Sequence, residues 1–431
     1  MISTSARERL DQALQRIRDP KGEGARACLT VFEAAATAAA DAADARVKAG
    51  VSLGPLDGVI VSIKDLFDVK GEPTRAGSKT CVDAPPAKAD APVVRRLRAA
   101  GAVIVAKTNM SEFAFSGVGA NPHFGTPGNP ADRARVPGGS SSGAAVAAAD
   151  QMCDISIGSD TGGSTRIPAA LCGIVGYKPS KYRVPTDGAF PLSFTLDSIG
   201  PLARTVADCA LADAVMAGEA PRAPEAAPLA GLRLGRPRSK SLLPLDAMVS
   251  AAWDKATAAL GKAGARVSDM DMPLIEDMIA ANATGGFSPP EAFFIHRERL
   301  KTRGDEIDPN VRARIERGAT MSAADYVALS RRRAELVRAM DLSLRDVDAL
   351  VMPTTPIVAP LIDEVAEMQA FSKKNMALLS YASIFNFFDL CAISLPLRTE
   401  KLPVGLMLIA RNGHDHALFR IATGIEKLLC H

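Results

Sequence analysis

The sequence is poor in the features on which metal sites, disulfide frameworks and membrane spans depend. Its seven cysteines are odd in number and widely spaced, and no two of them form a Cys-x-x-Cys pair. We therefore predict no metal, no cofactor and mostly buried thiols in a reducing cytoplasm. No apolar run approaches the ~18 residues of a membrane span, and the polar start of the chain shows no signal peptide, so no membrane partner is predicted.

Charge of one sign is lacking as well. The 51 basic and 48 acidic residues are interspersed, and the formal net charge is only +3. Without a basic block, direct binding to nucleic acid is not indicated. The hydrophobic share of 47% is that of a globular protein, and 431 residues allow a large core.

Histidine is scarce, and this limits which base could serve a nucleophilic serine. The five histidines are His123, His296, His414, His416 and His431. None lies in a recognisable catalytic context, and the sequence has no Gly-x-Ser-x-Gly motif, so a Ser-His-Asp hydrolase is not indicated. We interpret each histidine as a surface or packing residue.

Two glycine-rich segments carry the serines that could take part in chemistry. Residues 136–143 read VPGGSSSG and residues 158–164 read GSDTGGS, so Ser164 follows Ser140 by 24 residues. Such segments combine a hydroxyl with backbone N–H groups that can stabilise an oxyanion. The proton acceptor that a nucleophile also needs must come from elsewhere in the chain.

Lys64 is the candidate for that acceptor. It follows the apolar run VIVSI at 59–63, which is predicted to be a buried strand. Desolvation lowers the pKa of a lysine because the charged form loses its hydration. On these residues alone, an ordinary surface lysine at the end of a strand is an equally available interpretation.

Strands and helices alternate in the first half of the chain, which predicts an α/β fold. A strand at 59–63, a helix from Pro92 through Ala100 and a strand at 103–105 form one such unit. We predict a single domain over residues 1–431. Its parts are a core at about 50–220, a peripheral helical region at about 270–345 and a return to the core at 349–431.

Several separated motifs resemble the amidase signature family. They accompany Lys64 and the two glycine-rich segments, in the order GPLDG at 54–58, KTNMSEF at 107–113, IPAALCGIVGYKP at 167–179, DSIGP at 197–201 and LPVGLMLI at 402–409. The resemblance extends over nearly the whole chain. It implies one large, mixed but mostly parallel, twisted sheet that is covered by helices on both faces.

The resemblance also implies a Ser–cis-Ser–Lys triad. Ser164 is similar to the nucleophile, Ser140 to the bridging serine whose preceding peptide bond is cis, and Lys64 to the general base. The backbone N–H groups that resemble the oxyanion hole are those of Thr161, Gly162, Gly163 and Ser164.

Six further residues are implied to support this site rather than to react. Those that resemble a loop on the acyl side of the substrate pocket are Phe115, Ser116 and Gly117. Those expected to brace the glycine-rich segments are Ser141, Asp160 and Arg166.

The function implied is that of an amidase, which hydrolyses a small-molecule carboxamide through an acyl-enzyme on Ser164. One alternative is the glutamine-hydrolysing component (the A chain) of a tRNA-dependent amidotransferase, which passes ammonia to a partner protein. A non-catalytic binding protein on the same fold is a third interpretation, against which the intact Lys64, Ser140 and Ser164 argue. Members of the family are often dimers, so a homodimer is among the states expected.

Overall fold

One large sheet organises the chain. The computed structural model describes residues 5–397 and 399–430. Within them, eleven strands form a sheet in the order β1-β3-β2-β4-β6-β5-β10-β11-β9-β7-β8. The strands are β1 (Cys28–Val31), β2 (Ile60–Lys64), β3 (Val103–Thr108), β4 (Ile155–Asp160), β5 (Val175–Lys178), β6 (Ser198–Ala203), β7 (Arg233–Arg238), β8 (Arg266–Asp271), β9 (Ala349–Pro353), β10 (Cys391–Leu397) and β11 (Val404–Ala410).

The helices occupy the connections between these strands. They are α1 (Ala6–Arg18), α2 (Gly24–Ala27), α3 (Glu33–Lys48), α4 (Pro92–Ala99), α5 (Ser142–Ala149), α6 (Arg166–Cys172), α7 (Val206–Ala217), α8 (Ala247–Lys262), α9 (Leu274–Ala281), α10 (Ser288–Arg303), α11 (Pro309–Glu316), α12 (Ala323–Ser343), α13 (Met368–Phe387) and α14 (Asp415–Leu429).

The sheet is mixed, as predicted, but it is not mostly parallel. The four parallel pairs are β2–β3, β2–β4, β7–β8 and β7–β9. The other six neighbouring pairs are antiparallel. The connection from β10 to β11 shows the reason: it runs only from Leu397 to Val404, which is too short for the crossover that parallel strands need.

Helices cover both faces of the sheet, as predicted. Successive side chains of a strand point to opposite faces, and β2 shows this directly. Ile60 packs in a cluster with residues of α1, α3 and α5. Val61 and Ile63 pack on the other face, with residues of α4 and α7. The predicted helix that Pro92 opens is α4, and the proline occupies its first turn, where its missing N–H is not needed.

The cysteines and the helices agree with the composition. Six of the seven cysteines are buried, in keeping with the prediction of small buried thiols. In the part of the chain that the structure describes, no helix has the length and apolar character needed to cross a bilayer.

The parallel part of the sheet positions the candidate site. Because β3, β2 and β4 run in the same direction, their carboxyl ends lie at one edge of the sheet. Lys64 ends β2 and Asp160 ends β4. The glycine-rich segment before α5 and the loop between β4 and α6 meet at this edge, so both candidate serines approach Lys64.

Candidate active site

Lys64 is completely buried and is held by two serines. Its Nζ lies 2.8 Å from Ser140 Oγ and 2.9 Å from Ser159 Oγ. The register of β2 on β4 pairs Ile63 with Ile157, which brings the end of β2 beside Ser159. The structure therefore places Lys64 as an interior residue, and the surface interpretation that the sequence left open is wrong.

Burial is the main reason that the pKa of Lys64 falls to about 7, since removing the ammonium from water is costly. The carboxylates of Asp160 and Asp197 oppose this shift but do not cancel it. Near neutral pH a large fraction of Lys64 is consequently an uncharged amine. Such an amine has a lone pair that can accept a proton from the adjacent Ser140 hydroxyl.

Ser140 is held by its own backbone. The Gly139–Ser140 peptide bond is cis, as the family resemblance implies. Gly139 N donates to the Gly117 carbonyl at 2.8 Å, and the Ser140 carbonyl accepts from Ser111 N at 3.0 Å. A Cβ on Gly139 would come within 2.7 Å of the Gly119 nitrogen, so this backbone approach requires glycine.

Ser164 lies in the loop that connects β4 to α6, and it lines a cavity of about 320 Å³. Thr161, Gly162, Phe115 and Ser116 line the same cavity. The Ser164 carbonyl accepts from Ser141 N at 3.3 Å, which ties the two glycine-rich segments together. The structure thus brings the predicted serines, the loop at 115–117 and Lys64 into one place.

One of the four N–H groups expected in the oxyanion hole points elsewhere. Gly163 N donates to Asp160 Oδ1 at 2.7 Å, inside the protein. The reason is that Asp160 ends β4 just before this turn, so its carboxylate accepts the N–H three residues further on. Thr161, Gly162 and Ser164, all of which line the cavity, remain as candidates.

Asp160 is the centre of a buried polar network that braces the loop carrying Ser164. Its carboxylate accepts from Arg166 Nε and Nη2, both at 3.0 Å, and from Asn386 Nδ2 at 2.8 Å. Burial by itself would raise the pKa of Asp160. The Arg166 charge and hydrogen bonds, with the charge of Lys178, more than offset burial and hold that pKa well below its usual range.

The pairing of Asp160 with Arg166 leads to a stability prediction. Asp160→Asn should lower the free energy of unfolding by about 3–5 kcal/mol, because it leaves the buried Arg166 without its counter-charge. Chemical denaturation would measure this. Asp11→Asn, which breaks the exposed pair with Arg7, is the matched control and should cost less than about 1 kcal/mol. Equal losses in the two variants would contradict the prediction.

The remaining predicted support residues have specific partners. Ser141 Oγ donates to the Ser159 carbonyl at 3.3 Å rather than to a side chain of the triad. Gly117 N donates to Asn375 Oδ1 at 2.8 Å, and Ser116 Oγ lies 3.3 Å from the same oxygen. The loop on one side of the cavity is therefore fastened to helix α13.

Sequence reasoning missed four residues that support the site: Ser159, Asp197, Asn375 and Asn386. Asp197 accepts from Thr161 Oγ1 at 2.6 Å, although it was noted in the sequence only as part of the motif DSIGP. No element was predicted at 368–387, where α13 contributes Asn375 and Asn386. A signal was present, because Asn375 interrupts a helical stripe of buried residues that includes Phe371, Leu378 and Ala382.

The described histidines lie outside the candidate site. His296 is buried between the rings of Phe113 and Phe190, at centroid distances of 4.1 and 5.7 Å. Burial and the charge of Arg299 lower its pKa to about 3, so it stays neutral. His416 is exposed and pairs with Glu219 at 3.0 Å. His431 lies outside the described residues.

Comparisons with known proteins agree with this architecture. The model of the Amidase family matches residues 10–419. The 2-amino-5-chloromuconic acid deaminase of Comamonas testosteroni is 37% identical over 406 residues, which cover 92% of this chain and 87% of that protein. The GatA-type component of the glutamyl-tRNA(Gln) amidotransferase of Chloroflexus aggregans is 35% identical, over 94% of this chain and 89% of that protein.

Solved structures extend the similarity to the fold. A crystal structure described as that of an amidase superposes with a TM-score of 0.89 and 34% identity, over 99% of this chain and 96% of the other. The chain thus belongs to the amidase family. It is an enzyme of the class that hydrolyses carbon–nitrogen amide bonds.

Proposed function

We propose that the protein hydrolyses a small-molecule carboxamide to a carboxylate and ammonia or an amine, through an acyl-enzyme on Ser164. The observation that supports this most is the hydrogen bond of 2.8 Å from the buried Lys64 to Ser140, beside a cavity that Ser164 lines. In this proposal Lys64 is the general base, Ser140 relays protons, and Ser164 is the nucleophile.

The first half of the reaction would transfer the acyl group to the enzyme. Neutral Lys64 takes the proton of Ser140 as Ser140 takes that of Ser164, and Ser164 Oγ attacks the amide carbonyl carbon. The negative charge that develops on the carbonyl oxygen is stabilised by backbone N–H groups of Thr161, Gly162 and Ser164. Each such donor is typically worth about 3–4 kcal/mol.

The second half would release the acid. The tetrahedral intermediate expels its nitrogen, which receives the proton through Ser140, and the acyl group stays on Ser164. Water then attacks the ester by the same proton route in reverse, and the carboxylate leaves. The donors of the bracing network, Arg166 and Asn386, do not take part; they keep the loop in position through Asp160.

The similarity to an amidotransferase component supports a second candidate function. That relative is 35% identical over most of both chains. If this chain had the same role, it would hydrolyse glutamine and would need a partner protein. The purified protein, incubated alone with a panel of small aliphatic and aryl amides, separates the two functions by ammonia release. Turnover of simple amides supports our proposal, whereas activity on glutamine only with an added partner supports the second.

The pKa of Lys64 leads to a prediction for the pH dependence of the reaction. Only the neutral amine can accept a proton, so kcat/KM on a neutral amide should be constant above pH 7 and fall about tenfold per pH unit below it. A pH profile of kcat/KM measures this. A profile that is flat between about pH 5 and pH 9 would contradict a lysine base.

The cytoplasmic location and the homodimer expected from the sequence stay predictions. The burial of six cysteine thiols is compatible with a reducing compartment. Analytical ultracentrifugation of the purified protein would determine the oligomeric state.

A further inference from the structure

Two arginines line the cavity on the side of helix α11. Arg314 lies in that helix, and Arg317 follows it at the start of the next turn. Residues three apart in helical backbone lie on the same side, so the two side chains reach the same space. The cavity that they share with Ser164 also has apolar walls, including Leu192, Met278 and others.

Neither arginine has an acidic partner among the residues that line this cavity. The described lining residues include no Asp or Glu. Arg314 Nε is buried and has no hydrogen-bond partner in the part of the chain that the structure covers. Arg312, in the same helix, is different: it bonds Glu316 at 2.8 Å and also contacts Asp305.

Arg314 is nevertheless held in place. Its guanidinium lies over the ring of Phe115, 4.5 Å from the centroid, and Phe115 lines the cavity with Ser164. This cation–π contact orients the group but does not compensate its charge. Burial and the neighbouring charge of Arg317 lower the pKa of Arg314 to about 10, so the guanidinium stays charged at neutral pH.

A pair of cations beside an apolar pocket is an arrangement suited to an anion. A desolvated charge without a partner is costly, and the fork of an arginine matches a carboxylate with two parallel hydrogen bonds. We infer that Arg314 and Arg317 bind a carboxylate of the substrate. The substrate class is then a monoamide of a dicarboxylic acid, with a short hydrocarbon link between its amide and its free carboxylate.

This inference rests on the proposed function, and it divides the work between the two arginines. Arg314 is oriented on Phe115 and its Nε is enclosed, so we expect it to contribute most of the preference. Arg317 is exposed at the cavity wall and adds a second, weaker contact. Loss of a charged hydrogen-bond partner corresponds to about 10- to 100-fold in kcat/KM, with Arg314→Gln at the upper end and Arg317→Gln at the lower.

The test compares anionic amides with neutral ones of the same shape. The anionic series is malonamate, succinamate and glutaramate, and each has an isostere in which an isopropyl group replaces the carboxylate. We expect at least one anionic member to exceed its isostere in kcat/KM, mainly through KM. Arg317→Gln should reduce that preference while turnover of the neutral isosteres persists. Arg312→Gln, which changes an arginine with acidic partners, should leave the preference unchanged.

A binding measurement keeps the outcome independent of catalysis. Calorimetry with malonate, succinate and glutarate should find one dianion that binds the wild type and binds Arg314→Gln and Arg317→Gln at least about tenfold more weakly. Labelling of Ser164 by a fluorophosphonate reports separately on the proposed triad. If labelling fails while dianion binding follows the arginines, the proposed function is wrong and the anion site stands. If labelling and neutral turnover succeed but neither variant alters preference or binding, the anion site is wrong.

Discussion

Ser164→Ala should abolish amide hydrolysis, with a loss of about 10⁴- to 10⁶-fold in kcat. The reason is that the substitution removes the only atom that our mechanism allows to carry the acyl group, while Lys64 and Ser140 keep their hydrogen bond of 2.8 Å. The residual rate would come from the backbone N–H groups and from substrate binding. Ammonia release measured over long incubations, with enzyme at high concentration, has the range to detect a loss of this size.

Ser142→Ala is the matched control for that variant. It removes the same hydroxyl from a neighbouring buried serine, whose Oγ has no hydrogen-bond partner among the described residues. Removing an unpaired buried hydroxyl should leave stability and kcat nearly unchanged. Wild-type fluorophosphonate labelling of Ser142→Ala together with no labelling of Ser164→Ala would locate the acyl group on Ser164. Turnover by Ser164→Ala at a rate near that of the wild type would refute the assignment.

Lys64→Ala should reduce kcat by about 10²- to 10⁴-fold, the range over which general bases contribute. The variant leaves Ser164 in place but removes the proton acceptor next to Ser140. It should also remove the fall in kcat/KM below pH 7, because the group that titrates there is gone. A variant that keeps the same pH profile would show that another residue accepts the proton.

Two companion variants separate a chemical role of Lys64 from a structural one. Lys64→Met keeps most of the volume of the side chain in its buried site, so packing is preserved while the amine is lost. Ser159→Ala removes the second hydroxyl on Lys64, at 2.9 Å, but not the base itself. We expect Lys64→Met to be as inactive as Lys64→Ala, and Ser159→Ala to retain measurable turnover with an altered pKa in the profile.

Local patterns in the sequence determined much of this molecule. Short β-branched runs bounded by glycine and proline predicted β2, β3 and the helix at Pro92, because burial and backbone restriction act over a few residues. The glycine-rich segments identified Ser140 and Ser164 in the same way. The roles assigned to them, and to Lys64, came from the resemblance of several motifs to one family.

Partners that are distant in the chain were decided only by the tertiary structure. Arg166 and Asn386 are 220 residues apart, and no local periodicity relates them. The same holds for Arg314 and the ring of Phe115, whose contact depends on how α11 packs beside the cavity. The orientation of the Gly163 N–H toward Asp160 likewise follows from the folded turn.

Lys64 shows where the two kinds of information divide. Its sequence context, at the end of an apolar strand, was compatible with both a surface and an interior position. Burial lowers its pKa to about 7, and that burial arises because β3 and β4 flank β2 and helices cover both faces. The sequence by itself determined which residues could do chemistry. Only the fold decided which of them lie dry and close enough to do it, since desolvation and hydrogen-bond distance are properties of the packed structure.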